Sequence, residues 1–161
     1  MIRKVQIEDA KQLLDIYNYY VENSIITFDI EPLSLEGFTE KIMGINEVYP
    51  FLIYEEDEEI LGYAYGSRWR PKPAYKYTVE STVYVKHGVH GKQIGTKLYI
   101  ELLSLLKQQK FHLVLGALTL PNEASIKLHE KIGFKQVAHF SEVGLKFNTW
   151  HDVGFWQLKL D

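Results

Sequence analysis

Residues 87–96, His87-Gly88-Val89-His90-Gly91-Lys92-Gln93-Ile94-Gly95-Thr96, set glycines and positive side chains between two stretches of different period. Ahead of them Val79, Val83 and Val85 alternate with Glu80, Thr82 and Tyr84, which predicts a strand turning one face to a core. Behind them Leu98, Leu102, Leu105 and Leu106 recur at helical spacing. A strand that feeds through a glycine-bearing loop into a helix leaves the helix's first N–H groups unpaired, and these suit an anion, above all a phosphate. The same residues also suit a tight turn with glycines at positive φ and lysines in water. Glu80 lies on the strand, with Thr78, Ser81 and Thr82 able to relay a proton through water. A carboxylate among apolar neighbours has a raised pKa, closer to what a base needs; the alternative is a solvated Glu80, or one paired with a cation such as Arg70. His129 sits beside a Leu128 and Ile132 ridge, where a general acid or base and a satisfied, half-buried histidine are both admissible.

Three further stretches carry candidate contacts. Residues 67–77, Ser67-Arg68-Trp69-Arg70-Pro71-Lys72-Pro73-Ala74-Tyr75-Lys76-Tyr77, interleave four cations with aromatics, and two prolines fix the loop. Arg70 and its neighbours could hold a carboxylate or another small anion by charge-assisted hydrogen bonds; a basic aromatic surface or a dimer contact is the other reading. Ser24-Ile25-Ile26-Thr27-Phe28-Asp29 is apolar without a period, fitting either a loop over a pocket or a simple cap on the core. Asn122 precedes a helical pattern and reads as its N-cap, with Gly133 as the stop.

The elements needed to position these residues follow from periodicity and turn residues. Residues 2–7 read as a first strand, Asp9 precedes an amphipathic helix bearing Leu13, Leu14, Ile16, Tyr17 and Val21, and residues 32–34 open a second helix with Phe38, Ile42 and Ile45 inward. Residues 50–54 and 60–66 form a hairpin through the acidic run 55–59, expected as a solvated turn. Residues 111–119 form a strand buried on both faces, and residues 134–146 and 151–160 the last two, turned at Phe147-Asn148-Thr149. The order β-α-α-β-β-β-α-β-α-β-β gives about seven strands and four helices, an α/β three-layer arrangement around a mixed, mostly antiparallel sheet.

At 161 residues and 46% hydrophobic content, one domain spanning 1–161 is expected. Net charge −3 and pI near 6.1 give no general attraction to nucleic acid or an anionic membrane. No apolar run approaches the ~20 residues of a membrane span, so a soluble, cytoplasmic protein is expected. With no cysteine there is no disulfide, thiolate metal site or acyl-cysteine, and the six histidines show no metal-ligand spacing, so no metal is expected.

The chain resembles the GNAT-superfamily acyl-CoA N-acyltransferases and, within them, the phosphinothricin and methionine-sulfone acetyltransferases. The likeness rests on Thr78-Val79-Glu80-Ser81-Thr82-Val83-Tyr84-Val85, Leu120-Pro121-Asn122, Leu128-His129-Glu130 and, most specifically, Trp150-His151-Asp152-Val153-Gly154-Phe155-Trp156-Gln157, and it covers nearly the entire chain. The superfamily's pyrophosphate loop falls on 90–95, where His90 replaces Arg or Gln and Gln93 replaces a glycine that could be needed for the backbone, while Gly95 is kept. The resemblance implies a GNAT-type fold and direct acetyl transfer from acetyl-CoA to the α-amino group of a small amino acid, phosphinothricin, methionine sulfone or methionine sulfoximine. It implies Glu80 as base and His129 as the proton donor to the thiolate. It also implies cofactor contacts at Val83, Tyr84, Val85, Gly91, Lys92, Gln93, Ile94, Gly95, Thr96 and Asn122, with a backbone N–H of Val83 or Val85 facing the oxyanion. Substrate contacts fall at Phe28, Pro73, Ala74, Tyr75 and Val83, beside Arg70, and a homodimer is implied by precedent. Two rivals are a noncatalytic acyl-CoA sensor, suggested by His90 and Gln93, and an acetyltransferase for a peptide or protein amine, which needs an open groove.

Overall fold

The computed structural model describes residues 1–89 and 91–160; His90, one of the two departures in the loop, lies outside the described residues. The chain runs β1 (Ile2–Lys4), α1 (Ala10–Asn23), α2 (Leu35–Asn46), β2 (Phe51–Glu56), β3 (Glu59–Arg68), β4 (Thr78–Val85), α3 (Ile94–Gln108), β5 (Leu113–Leu120), α4 (Glu123–Ile132), β6 (Lys135–Lys146) and β7 (Thr149–Lys159), with one-turn helices at Ile7–Asp9 and Pro73–Tyr75. All seven strands form one sheet in the order β1-β2-β3-β4-β5-β7-β6. Only β4 and β5 pair in parallel; every other neighbour is antiparallel. The expected element order and mixed sheet are therefore present.

Helices cover both faces of the sheet, and this corrects the one-faced reading of the central strand. Alternation along β4 sends Val79 toward α3, with Leu98, Leu102 and Leu106, while Tyr84 enters the opposite core with Tyr17, Phe38, Ile53 and Tyr63. Both sets are buried because β4 is central to the sheet. On α3 the inner stripe is Ile94, Leu98, Tyr99, Leu102, Leu103 and Leu106, which brings Tyr99 inside and leaves Leu105 at the margin. Burying each large side chain supplies about 1.5–3 kcal/mol, so these stripes hold α3 and the start of its loop against the sheet.

Local signals set the ends. Ser34 caps α2 by accepting from the Gly37 N–H at 3.1 Å, and Asn122 caps α4 by accepting from the Ser125 N–H at 3.1 Å, while Gly133 ends α4 at φ 107°. Both hairpin turns hold two residues at positive φ, Asp57-Glu58 and Phe147-Asn148. The acidic run is more than a solvated turn: Glu55 pairs with Arg3, Glu56 with Lys92 and Glu59 with Lys86. Asp9 is likewise more than a helix start. Its buried carboxylate accepts two hydrogen bonds from the Arg3 guanidinium, at 2.8 and 2.9 Å, and one from the Gln6 N–H at 2.7 Å. Among the described residues no helix is long and apolar enough to cross a membrane.

Candidate active site

The site begins where the parallel pair comes apart. β4 and β5 are in register only at Thr78–Leu113, Val79–Val114 and Glu80–Leu115; beyond Glu80 the strands diverge. A cavity of about 320 Å³ fills the fork, with Glu80–Tyr84 along one arm, Ala117–Thr119 along the other, and Asn122, Ser125, Leu128 and His129 from α4. The register of β3 with β4 is unbroken from Val79 to Val85, and the Lys86 N–H donates to the Leu61 carbonyl at 2.8 Å. By strand alternation, the N–H groups of Val83 and Val85 then point to the edge that β5 has left. An acyl thioester laid along that edge would find backbone donors in place of the missing strand, which is what an oxyanion and an amide-bearing arm need.

Glu80 stands at the vertex of the fork. Burial raises its pKa, and the nearby Arg70 charge opposes the rise without cancelling it. His129, 6% exposed, has its pKa lowered by burial against the opposing effect of its bond to Ser125. Burial thus moves the two values toward one another, Glu80 upward and His129 downward, and keeps the resting imidazole neutral. His129 is also fixed in place: Nδ1 lies 2.7 Å from the Ser125 carbonyl and Nε2 lies 2.9 Å from the Tyr99 hydroxyl. Tyr99 in turn lies 2.5 Å from Ser81 Oγ, whose single proton can be donated either to Tyr99 or to the Leu115 carbonyl at 3.1 Å. Ser81, expected as a proton relay beside Glu80, here bonds Tyr99, whereas Tyr99 was not legible as chemistry, because a tyrosine in a helical apolar stripe looks like core.

Beside the fork lies the loop. A groove of about 280 Å³ runs past Val85, Val89, Gly91–Thr96 and Leu128. The first helical hydrogen bond of α3 is Lys97 N–H to Gln93 O, so the N–H groups of Ile94, Gly95 and Thr96 precede it and face an incoming anion. Gly91 takes φ 75°, and Gln93 itself adopts the left-handed conformation at φ 53°, ψ 31°. Gln93 thus takes, at a strain of about 1–2 kcal/mol, a left-handed conformation that glycine adopts freely. The Lys92 ammonium pairs with Glu56, so the backbone supplies most of the anion-binding character here. Asn122 lines the cavity and caps α4 at once, its amide nitrogen remaining able to donate.

Phe28 lines the cavity, with Ile26 and Thr27. Its ring rests on Gly144 of β6, where an added Cβ would lie 2.1 Å from the ring, and Lys146 Nζ donates to the Thr27 carbonyl at 2.8 Å. Tyr17 holds the same loop from inside, bonding Thr27 and Asp29. The expectation for the basic loop needs correction. Arg70, Pro73 and Tyr75 surround a different cavity, of about 400 Å³, with Tyr49 and Phe111, and Ala74 is exposed on the same one-turn helix. Two prolines, and the Arg68 guanidinium bonded to the Arg70 and Pro71 carbonyls, hold the loop there. Of this group Arg70 alone acts on Glu80, through its charge, while its guanidinium stacks over Trp69 at 5.0 Å. Thr82, expected to relay a proton to Glu80, lines the fork, as do Ala117, Thr119, Ser125 and Val153, whose types carried no chemical signal until β5 and β7 were placed.

A three-layer α/β fold whose one parallel strand pair forks, with a glycine-bearing helix start beside the fork, defines the acyl-CoA-dependent N-acyltransferase class. The acetyltransferase (GNAT) domain family matches residues 2–154. Phosphinothricin N-acetyltransferase of Streptomyces coelicolor is 41% identical over 157 residues, covering 95% of this chain and 92% of the relative. The L-methionine sulfoximine/L-methionine sulfone acetyltransferase of Pseudomonas paraeruginosa is 34% identical, covering 99% and 94%. Among solved structures, a GNAT superfamily phosphinothricin acetyltransferase from Sinorhizobium meliloti in complex with AcCoA superposes with a TM-score of 0.95 at 27% identity, covering 99% of this chain and 87% of the other. The chain belongs to the GNAT acetyltransferases, which take their acetyl group from acetyl-CoA.

Proposed function

We propose that this protein acetylates the α-amino group of a small amino acid or an analogue such as phosphinothricin, methionine sulfone or methionine sulfoximine. The observation that carries the reading is the small covered cavity at the fork, where Glu80 and the Val83 and Val85 N–H groups converge beneath Phe28. A cavity of about 320 Å³ with residues 26–28 along one side is of the size that a small amino acid fills. The names of the relatives support the same acceptors.

Acetyl-CoA supplies an activated acyl carbon and a thiolate leaving group. The N–H groups of Ile94, Gly95 and Thr96 hold the phosphates, and the Val83 and Val85 N–H groups orient the thioester and face its oxygen. Glu80 takes a proton from the acceptor ammonium, and the C–N bond then forms as the C–S bond breaks. Asn122 donates to the pantetheine arm. His129 takes up the acceptor's second proton and returns it for the sulfur. The whole of 1–161 acts as one such unit.

The β6 edge supports a homodimer. It has a neighbour on one side only and exposes Val137, Phe140, Val143 and Leu145, with Trp150 on β7, an apolar surface that a second copy would cover. Dependence on acetyl-CoA supports a cytoplasmic enzyme. Sedimentation of the purified chain tests the dimer directly.

The function is tested by CoA release from acetyl-CoA with phosphinothricin, methionine sulfone, ordinary amino acids and a short peptide as acceptors, wild type beside Glu80→Gln. Turnover on a small amino acid, reduced at least about tenfold by the substitution, or about 1.4 kcal/mol of barrier, is expected. Turnover confined to the peptide refutes the acceptor class, and undiminished turnover in Glu80→Gln removes the base.

A further inference from the structure

Both nitrogens of His129 are engaged inside the protein. The Ser125 carbonyl can only accept, so Nδ1 carries the ring proton of the neutral imidazole and donates to it across 2.7 Å. Nε2 is then an acceptor, and at 2.9 Å the Tyr99 hydroxyl donates into it. The Tyr99 oxygen, with its own proton committed to His129, accepts from Ser81 at 2.5 Å. Tyr99 is 1% exposed and Ser81 7%, and both line the fork cavity. Gly116 on β5 makes room for the imidazole, because a Cβ there would lie 2.6 Å from Nε2. His129 therefore has no nitrogen left to offer the leaving sulfur directly, and the bonds that connect it to the cavity pass through Tyr99.

We propose that Tyr99 is a positioning and relay residue that connects His129 to the acyl-transfer cavity, with Ser81 as the outer end of the chain. This rests on the acetyl-transfer reading above. The acceptor nitrogen, starting as an ammonium, loses two protons on becoming an amide, and the sulfur gains one. Glu80 takes the first. The second enters at Ser81 Oγ, which passes its own proton to Tyr99 Oη, which passes its own to His129 Nε2. The reverse shift then returns a proton from Nε2 through Tyr99 and Ser81 to the thiolate. Each oxygen ends with the one proton it began with, imidazole is neutral again, and the proton on Glu80 goes to solvent.

The arrangement is consistent in both states. With His129 charged, Nε2 donates to Tyr99, Tyr99 to Ser81, and Ser81 to the Leu115 carbonyl at 3.1 Å, so no buried donor is stranded. Burial raises the Tyr99 pKa far above neutrality, with the Ser81 bond opposing and the Glu80 charge adding, so the hydroxyl keeps its proton between turnovers. Glu80 from β4 and His129 from α4 are the titratable groups that act on it. Glu80 and Ser81 are adjacent in β4 and face opposite sides of the sheet, and the fork gives both access to the one cavity.

The test uses the full chain, wild type beside Tyr99→Phe and Ser81→Ala, with acetyl-CoA and the best small amino acid acceptor. Tyr99→Phe keeps the ring and removes the oxygen. It is expected to lower kcat at least about tenfold with both KM values within about twofold, and to turn a curved proton inventory in mixed H2O and D2O into a straight one. Independently of turnover, ¹⁵N NMR of His129 is expected to show protonated Nδ1 and a hydrogen-bonded, unprotonated Nε2 that shifts in Tyr99→Phe. If Tyr99→Phe does not fold, Ser81→Ala cuts the outer link and carries the same kinetic expectation. Unchanged kcat and inventory in a folded variant overturn the relay, as does a wild-type Nε2 that is protonated at neutral pH. A wild type inactive on every amino acid overturns the functional reading and the relay with it, whereas an active wild type indifferent to Tyr99→Phe overturns the relay alone.

Discussion

Gly116→Ala isolates how tightly the imidazole is held. The new Cβ would lie 2.6 Å from His129 Nε2 and 2.9 Å from Cδ2, well inside ordinary contact. The ring cannot swing away freely. It meets the Tyr99 and Phe134 rings edge-on, each at 5.1 Å between centroids, and Nδ1 is bonded to Ser125. Overpacking of this kind costs about 1–3 kcal/mol, and losing the Tyr99 bond about 1 kcal/mol more. Replacing a strand glycine recovers about 0.5–1 kcal/mol, so a net loss near 2 kcal/mol is expected. For a chain of this length that is a fall in Tm of about 4–8 °C. Chemical denaturation of the single variant, of His129→Ala and of the double variant makes the measurement. With the ring gone, the alanine has room and its cost should vanish, leaving a coupling of about 2 kcal/mol. A single variant within about 0.5 kcal/mol of wild type, or an equal penalty in both backgrounds, would show that His129 is not seated against Gly116 and would sink the positioning argument.

The opposite behaviour is expected at Gly144→Ala, because the atoms nearest its Cβ belong to the ring of Phe28, a side chain 37% exposed on a loop. Stability should change by less than about 1 kcal/mol, while the KM for the acceptor rises severalfold and that for acetyl-CoA does not; equal movement of both refutes Phe28 as an acceptor contact. Gln93→Gly removes left-handed strain and should stabilise by about 0.5–1 kcal/mol in denaturation, after the glycine's own entropy cost. The acetyl-CoA Kd should stay within about threefold, since the backbone already has its shape, and a much tighter Kd would mean that the Gln93 side chain obstructs the groove. Burial raises the Asp9 pKa, but the bonds from Arg3 and Gln6 outweigh it and the net shift is downward. Its contribution is therefore complete above the unfolded carboxylate value near 3.9 and is lost as pH falls through the lower folded value. Asp9→Asn should cost about 2 kcal/mol at pH 7 and flatten the stability curve below about pH 4; parallel acid titrations of the two proteins refute this.

The loop itself was readable because glycine spacing and a change of period are local properties. So were Glu80 on its strand, Asn122 at its cap and the order of the elements, all fixed by sequence neighbours through alternation, helical repeat and capping. Residues 67–77 show the limit: four cations among aromatics announce an anion contact, but not its direction. Prolines and a guanidinium bonded to its own loop turn it toward Tyr49 and Phe111 instead. The acidic run 55–59 reads as solvent-facing for the same reason, since Arg3, Lys86 and Lys92 come from elsewhere in the chain.

By itself, then, the sequence determined the strands, the helices, the glycine-bearing helix start and the carboxylate and imidazole that chemistry could use. Tertiary structure alone decided that β4 and β5 part after Glu80, which leaves Val83 and Val85 N–H groups without a strand and opens the cavity. It also decided what Tyr99 is. Ser81 lies 18 residues before it and His129 lies 30 after it, and the three meet only when α3 and α4 pack on one face of the sheet. A hydroxyl acquires a role from the groups within about 3 Å of it, and spacing along a chain does not specify which distant groups the packing of apolar stripes will bring that close.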